Sequence, residues 1–244
     1  MKVERHSPSS LNLFCSAPAL FVLERVLGHR QPVGAAAHRG TAVEVGVTAG
    51  LLAPSKPVEE CVEFAERRFR TLTALSGDPR RELIGSEIAF MVREALEELR
   101  PYGVPTSLQG RVEWRPEGLE APIMGFYDFA WEQHGIIVDL KTTGKLPSHI
   151  KSGHARQLGF YAGAISDNLD ARISYVTPRK RATYRLENIE AHRDALHQIA
   201  LRVEKFLSLS DDPEYFISIT APDCDSFYYA DPLARQAVFE RWCI

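Results

Sequence analysis

The chain has 244 residues, of which 45% are hydrophobic and 25% are charged, and this balance excludes a disordered protein. The formal net charge of −3 counts against a strongly basic nucleic-acid-binding protein, although a nuclease needs only a local basic track beside an acidic metal site. We find no signal peptide and no run of about 18 apolar residues, so we expect a cytoplasmic protein with no membrane partner.

The first half of the chain is predicted to be helical. Ser9 and Ser10 are predicted to cap a first helix, and Pro18 is predicted to lie in the first turn of a second helix that ends at Gly28. Apolar residues at helical spacing predict three longer helices, the last of them capped by Ser86. These helices cover residues 39–52, 57–72 and 88–99.

The pattern changes after Pro101. Apolar and β-branched runs predict strands at residues 110–114, 123–131, 135–142, 171–176 and 182–186. The run Gly135-Ile-Ile-Val-Asp-Leu is typical of a strand in the middle of a sheet. Further helices are predicted at residues 152–165, 187–209 and 232–242. The order of elements predicts an α/β core with an N-terminal helical part.

We expect a single domain, because no linker is long enough to demand two. It would span residues 1–244, with a mainly helical part (1–105), a catalytic α/β core (106–210) and a C-terminal extension (211–244).

The two strands on either side of residues 133–134 are predicted to form a hairpin. If Gln133 and His134 form a two-residue turn, Trp131 pairs with Ile136, and Asp128 lies directly opposite Asp139. Lys141 is two residues beyond Asp139 and so shares its face of the strand. The register therefore predicts that three charged side chains converge on one patch of a largely apolar sheet.

These three side chains suit a metal-dependent phosphodiester hydrolase. Two adjacent carboxylates repel each other unless they share a proton or bind a cation, and such oxygen ligands suit Mg²⁺ or Mn²⁺. Lys141 could orient or help to deprotonate an attacking water, or stabilise negative charge on a phosphate. An Asp-x-Lys sequence alone is more often a surface ion pair, but Asp139 follows an apolar run in which a buried charge without a function is costly.

Three sequence segments in this order resemble a known nuclease superfamily. Gly125-Phe-Tyr-Asp128, followed after ten residues by Asp139-Leu-Lys141, resembles the PD-(D/E)xK nuclease pattern. Gln157 and Tyr161 share one helix face and are similar to the QxxxY motif of the RecB-like branch. The resemblance implies a restriction-endonuclease-like core, in which a mixed central sheet is flanked by helices, and a Mg²⁺-dependent or Mn²⁺-dependent deoxyribonuclease. It also implies that Gln157 is catalytic and that Tyr161 contacts DNA.

One position departs from the usual RecB-like pattern. Members of that branch often carry a histidine after a Gly-Thr-x-x pattern, and here Gly40-Thr-Ala-Val is followed by Glu44. A glutamate in this place resembles phage exonucleases of the lambda type, so Glu44 is predicted to bind the metal together with Asp128 and Asp139. Glu113, on the preceding strand, is a second-tier candidate for the same site.

Basic residues and cysteines complete the candidate sites. Arg179, Lys180 and Arg181, with Tyr175, are predicted to contact the DNA backbone. The four cysteines, at positions 15, 61, 224 and 243, form no CxxC pair, so we expect no zinc site and no iron–sulfur cluster, and we expect Cys61 to be a core residue.

The function predicted from these motifs is exonuclease action in DNA recombination, repair or replication, in a bacterial or phage-infected cell. DNA is the expected partner, with a recombinase, a single-strand-binding protein or further copies of the chain as additional candidates. Two alternatives stay open: a nucleic-acid-binding module that has lost catalysis, and a structural protein whose acids form surface ion pairs. The motifs leave open the polarity of cleavage and the choice between endonucleolytic and exonucleolytic action.

Overall fold

The computed structural model describes residues 1–29, 33–166, 169–226, 229 and 232–243. The α-helices in this part of the chain are α1 (Pro8–Ser16), α2 (Pro18–Phe21), α3 (Ala35–Leu52), α4 (Val58–Leu72), α5 (Arg81–Ser86), α6 (Ile88–Leu99), α7 (Ser152–Ile165), α8 (Ile189–Leu207), α9 (Pro213–Ser218) and α10 (Pro232–Trp242). A π-helix at Val22–Val26 continues α2 as far as the predicted second helix was expected to run, and short 3₁₀ segments lie at Arg100–Tyr102 and Glu132–His134. The strands are β1 (Ser107–Trp114), β2 (Ile123–Trp131), β3 (Ile136–Thr142), β4 (Asp170–Val176) and β5 (Arg181–Arg185). None of the described helices is both long and apolar enough to cross a membrane.

The chain divides into two compact units. The sheet unit consists of Val33–Val112 and Phe126–Glu190 and contains α3 to α7 and most of the sheet. The helical unit consists of Met1–Pro32, Glu113–Gly125 and Ala191–Ile244. That the whole chain acts as a single nuclease domain stays a prediction.

The five strands form one mixed sheet in the order β1-β2-β3-β4-β5. Strands β2 and β3 are antiparallel, β3 and β4 are parallel, and β4 and β5 are antiparallel. The parallel pair requires a crossover, and α7 supplies it. The central place of β3 agrees with its Ile-Ile-Val run, and the mixed sheet with flanking helices confirms the predicted α/β class.

The two faces of this sheet have different partners. Helices α3, α4 and α6 share one apolar core with the sheet residues Phe129, Trp131, Val138, Leu140 and Val176. Cys61 is fully buried in that core, which confirms its predicted role. Since side chains alternate along a strand, Asp139, Lys141 and Tyr175 lie on the opposite face, against which α7 packs through a contact between His154 and Tyr175.

Close packing between α3 and α4 depends on a glycine. A Cβ atom at Gly46 would lie 2.6 Å from the Cys61 carbonyl oxygen and 2.9 Å from the Ala65 Cβ. These distances allow no side chain, so the absence of one at position 46 lets the two helices approach each other. This approach fixes α3, which carries Glu44.

The helical unit has its own aromatic core. The Phe14 ring lies 5.2 Å from the rings of both Phe21 and Phe206, and the Phe206 ring lies 4.9 Å from that of Phe216. Beside them, the Glu204 carboxylate accepts the backbone N–H groups of residues 120 and 121 and lies 3.0 Å from His6 Nε2.

Two helix starts differ from the prediction in the residue that caps them. The cap of α1 is Ser7 rather than Ser9 or Ser10, because the Ser7 and Ser10 side chains each accept the other residue's backbone N–H in a capping box. Ser86 caps no helix; it ends α5, and its hydroxyl donates to the Leu83 carbonyl at 2.8 Å. The short side chain of serine serves either role, so sequence alone does not separate them.

Candidate active site

The β2–β3 hairpin has the predicted register but a different turn. Trp131 pairs with Ile136, and the pairing continues to Phe129 and Val138. A turn of 3₁₀ helix over residues 132–134 and the left-handed Gly135, with φ of 62°, connect the strands in place of the predicted two-residue turn. Glycine adopts that backbone conformation without steric cost, so a four-residue connection can keep the predicted register.

Asp128 lies immediately beyond the paired residues of this hairpin. The Leu140 N–H donates to Asp128 Oδ2 at 2.8 Å, so a side chain takes the place of a backbone acceptor at this point. That hydrogen bond ties the carboxylate to β3, on which Asp139 and Lys141 lie. The convergence predicted for Asp128 is therefore reached through a side-chain contact to β3.

Asp139 and Lys141 form a buried ion pair on β3. Only 1% of Asp139 is exposed, and its Oδ2 lies 2.7 Å from Lys141 Nζ. Its Oδ1 has no hydrogen-bond partner among the residues that the structure describes. A buried carboxylate oxygen with no partner is costly unless a ligand completes it.

The carboxylates of the site repel one another. Burial and the charge of Asp139 raise the pKa of Asp128 to about 8. Burial also raises the pKa of Glu44, with the charge of Asp139 adding to the rise and a hydrogen bond from Gln109 opposing it. Burial lowers the pKa of Lys141, but the charges of Asp139 and Asp128 outweigh it and raise that pKa overall. A divalent cation at this place would relieve the repulsion.

Gln109 is a member of the site that sequence reasoning missed. Its Nε2 donates to Glu44 Oε1 and, at 3.3 Å, to Asp128 Oδ1. It lies in β1 with a φ of 48°, which is unusual for a residue other than glycine. The one sequence signal for an irregular strand here is the neighbouring Gly110.

Helix α7 places the predicted Gln157 and Tyr161 on one face. Gln157 Nε2 donates to the Tyr161 hydroxyl at 2.9 Å. Tyr161 is buried, which raises its pKa to about 12, and the charges of Asp139 and Lys141 also act on it. Tyr161 thus lies within electrostatic reach of the ion pair on β3, and Gln157 contacts Tyr161.

Tyr175 is not at the surface, where the predicted contact with the DNA backbone would require it. The side chain is fully buried, so it is not free to contact a phosphate. Its hydroxyl accepts the Lys151 N–H at 3.3 Å and lies 2.7 Å from His154 Nδ1. Tyr175 is paired with Lys141 in the sheet, so the contact with His154 anchors the start of α7 next to the site.

The three basic residues after β4 do not share one environment. Arg179 and Lys180 are exposed in a turn, in which their backbone N–H groups donate to Thr177 Oγ1. Arg181 forms ion pairs with three acids of α6, and its nitrogens lie 2.7 to 3.4 Å from Glu94, Glu97 and Glu98. A DNA contact thus stays a prediction that fits Arg179 and Lys180 better than Arg181.

The donor chemistry fits a hard divalent cation, but the side chains are not arranged to hold one as they stand. Glu44, Asp128 and Asp139 supply carboxylate oxygens, and one buried oxygen of Asp139 lacks a partner. No three His, Cys, Asp or Glu side chains in the described part of the chain are grouped to hold a metal ion. The amide of Gln109 lies between two of the candidate ligands, so binding requires it to turn. Glu113 belongs to the helical unit and pairs there with Arg115 at 2.9 Å.

A protein-family model matches most of the chain. The family model described as the PD-(D/E)XK nuclease superfamily matches residues 5–226. None of the curated proteins matches the chain. Among solved structures, the chain is similar to the one named "Crystal structure of SSO0001", with 16% identity, a TM-score of 0.37, and coverage of 87% of this chain and 93% of that chain. The family match includes every residue of the candidate site.

Proposed function

The chain belongs to the PD-(D/E)XK nuclease superfamily, and from this premise we propose that it is a deoxyribonuclease that depends on Mg²⁺ or Mn²⁺. The observation that carries the proposal is the buried Asp139–Lys141 pair, whose Oδ1 lacks a partner, with Asp128 tied to the same strand. A structural ion pair would have no need of two further acids beside it.

Each side chain of the site has a role in this proposal. Asp128, Asp139 and Glu44 would hold the cation, which when bound polarises a phosphate and lowers the pKa of a water. The charges of Asp139 and Asp128 raise the pKa of Lys141, so Lys141 keeps its proton, and it would place positive charge where negative charge develops on the phosphate. Gln157 would act on the substrate from α7. Tyr161 would hold the Gln157 side chain in place through the hydrogen bond between them.

The finer assignment is to an exonuclease of the RecB-like or lambda-type branch, acting in recombination, repair or replication. Its support is the combination of Glu44 after Gly40-Thr, the Gly125-x-x-Asp128 sequence and the Gln157-x-x-x-Tyr161 motif. Arg179 and Lys180 would bind the DNA backbone from their exposed turn. An inactive binding module is less consistent with the site, because Asp128, Asp139 and Lys141 are all present and in contact with one another or with the same strand.

The proposal is tested by incubating the purified protein with linear and with closed circular DNA, in Mg²⁺, in Mn²⁺ and in EDTA. We expect degradation of the linear DNA in either metal, no degradation in EDTA, and survival of the circular DNA. Cleavage of the circular DNA would support the nuclease proposal but contradict the exonuclease assignment. No cleavage of either DNA by a folded protein, in any metal, would contradict the proposal.

A further inference from the structure

We propose that Gln109 is a fourth ligand of the cation site: its amide holds Glu44 and Asp128 together before the cation arrives, and its carbonyl oxygen turns to the cation on binding. This rests on the proposed function, since it presupposes a cation held by Glu44, Asp128 and Asp139.

The amide of Gln109 lies between two carboxylates of the site. Gln109 Nε2 donates to one oxygen of Glu44 and, at 3.3 Å, to one oxygen of Asp128. These two residues lie on α3 and β2, and Gln109 itself lies on β1, so the amide joins side chains from three elements. A group that donates to two repelling carboxylates takes the place that a cation between them would take.

The backbone that carries this side chain has an unusual conformation. Gln109 has a φ of 48°, a backbone conformation that residues other than Gly, Asn and Asp rarely adopt. The next residue is Gly110, where a Cβ atom would lie 2.0 Å from the Tyr127 ring. That ring is fixed by a hydrogen bond of 2.8 Å between the Tyr127 and Ser107 hydroxyls. A disfavoured backbone conformation that its surroundings hold in place is a common feature of functional positions.

The chemistry of the amide group suits both a donor to carboxylates and a ligand of a cation. A carboxamide carries two N–H donors on one side and an acceptor oxygen on the other, and its terminal torsion is roughly two-fold. A half-turn about that torsion therefore exchanges the donor and the oxygen with little movement of the rest of the side chain. Amide oxygens are hard ligands of the kind that Mg²⁺ and Mn²⁺ bind, and a neutral ligand adds no repulsion to three carboxylates.

The same contacts would also be made by a glutamine with a purely structural role, which braces two acids and does not touch the cation. The two roles differ in what they predict for cation affinity. Removal of a structural brace mainly affects the cation-free protein. Removal of a ligand also takes a contact away from the cation-bound protein.

The test is Mn²⁺ binding to the full-length protein without DNA, measured by calorimetry. Gln109→Gly is the principal variant, because it removes the amide and relaxes the positive φ, so it is expected to fold. Gln109→Glu keeps an oxygen at the same distance. Gln198→Leu changes an exposed glutamine of α8 and serves as the matched control, and Asp139→Asn defines the loss of the site.

We expect Gln109→Gly to bind Mn²⁺ roughly tenfold more weakly than the wild type, Gln109→Glu to bind at least as tightly, and Gln198→Leu to bind as the wild type does. Wild-type affinity in Gln109→Gly, with or without a lower melting temperature in EDTA, would overturn the inference and leave the proposed function standing. Failure of the wild type and the control variant to bind Mn²⁺ or Mg²⁺ would overturn both.

Discussion

Asp128 combines a structural and a chemical role in one side chain. Its Oδ2 accepts the Leu140 N–H at 2.8 Å, in place of a backbone carbonyl, and its Oδ1 accepts a hydrogen bond from Gln109. At the same time burial and the charge of Asp139 raise its pKa to about 8, so ionisation is disfavoured while no cation is bound. The side chain is therefore held in place by contacts that do not depend on the cation.

Two substitutions at Asp128 separate these roles. Asparagine keeps an oxygen for the Leu140 N–H and removes the repulsion, whereas alanine leaves that N–H without an acceptor. We expect Asp128→Ala to be less stable than Asp128→Asn by about 1–3 kcal/mol in EDTA, the cost of a buried unsatisfied donor, and we expect both variants to be inactive. Urea denaturation measures the difference, and equal free energies of unfolding would show that the hydrogen bond to Leu140 has no structural weight.

The sequence predicted the charged members of the site but not the amide. Asp128, Asp139 and Lys141 follow from strand alternation and hairpin register, and Glu44 and Gln157 follow from the resemblance. Gln109 could not be predicted, because its participation depends on a positive φ that no local residue pattern requires. Whether each of these residues acts in catalysis stays a prediction.

At the scale of secondary-structure elements, the bounds of several helices and strands were predicted well. The prediction is confirmed to the residue for β2 (Ile123–Trp131), α7 (Ser152–Ile165) and α10 (Pro232–Trp242). Helix α3 begins four residues earlier than predicted, at Ala35, because the preceding alanines carry no amphipathic signal. Caps and turns were less predictable, because Ser, Gln and Gly serve several local conformations.

The packing of β1 against the Tyr127 ring of β2 depends on the absence of a side chain at Gly110. A Cβ atom there would lie 2.0 Å from the Tyr127 ring, so Gly110→Ala forces the ring to move. We expect a loss of about 1–3 kcal/mol in the free energy of unfolding, as for other overpacked sites. The second substitution Tyr127→Leu should restore most of it.

Gly144→Ala is the matched control for that edge, because a Cβ atom at Gly144 would meet nothing within 4 Å. We expect it to change stability by less than about 0.5 kcal/mol. Equal effects of the two alanine substitutions in urea denaturation would contradict the close approach of the Tyr127 ring.

Helix α7 is anchored by a histidine that titrates abnormally. Burial, with the charge of Lys141, lowers the pKa of His154 to about 4, and Asp139 opposes the shift. The unfolded chain binds a proton at this residue below its ordinary pKa of about 6.5, while the folded chain does not until about 4. Stability from His154 is therefore present above pH 6.5 and is lost as the pH falls from 6.5 to 4.

We expect His154→Gln to lower the slope of the free energy of unfolding against pH between pH 4 and 6.5, so that stability rises less, or falls more, with pH than in the wild type. Comparison of the two proteins isolates this residue from the opposing titration of Asp128. His134→Gln, at an exposed position, should keep the wild-type slope. A His154→Gln slope equal to that of the wild type would show that His154 titrates normally in the fold.

Strand β5 and helix α6 are linked by Arg181 and its three acidic partners. Arg181→Ala is expected to cost about 1 kcal/mol of stability and to leave DNA binding unchanged. The double substitution of Arg179 and Lys180 by alanine should leave stability unchanged and reduce the slope of log Kd against log salt by about 1 to 2, from the lost phosphate contacts. A reduced slope in Arg181→Ala would show that its ion pairs open to bind DNA.

At the scale of the whole molecule, the family match extends from residue 5 to residue 226 and so includes parts of both compact units. The candidate site, in contrast, is built from the sheet unit alone, since Glu44, Gln109, Asp128, Asp139 and Lys141 all belong to it. Members of this superfamily typically use a divalent metal. We therefore propose that the sheet unit carries a cation-dependent phosphodiesterase site.

The most direct test of that claim is the rate of DNA cleavage in Mg²⁺ by Asp139→Asn, compared with Asp194→Asn at an exposed position of α8. Both variants remove one carboxylate and keep the side-chain size, and circular dichroism checks that both are folded. We expect Asp194→Asn to cleave at the wild-type rate and Asp139→Asn to lose at least about a hundredfold, since it removes a ligand and the partner of Lys141. Equal cleavage rates in the two variants would contradict the assignment of this site.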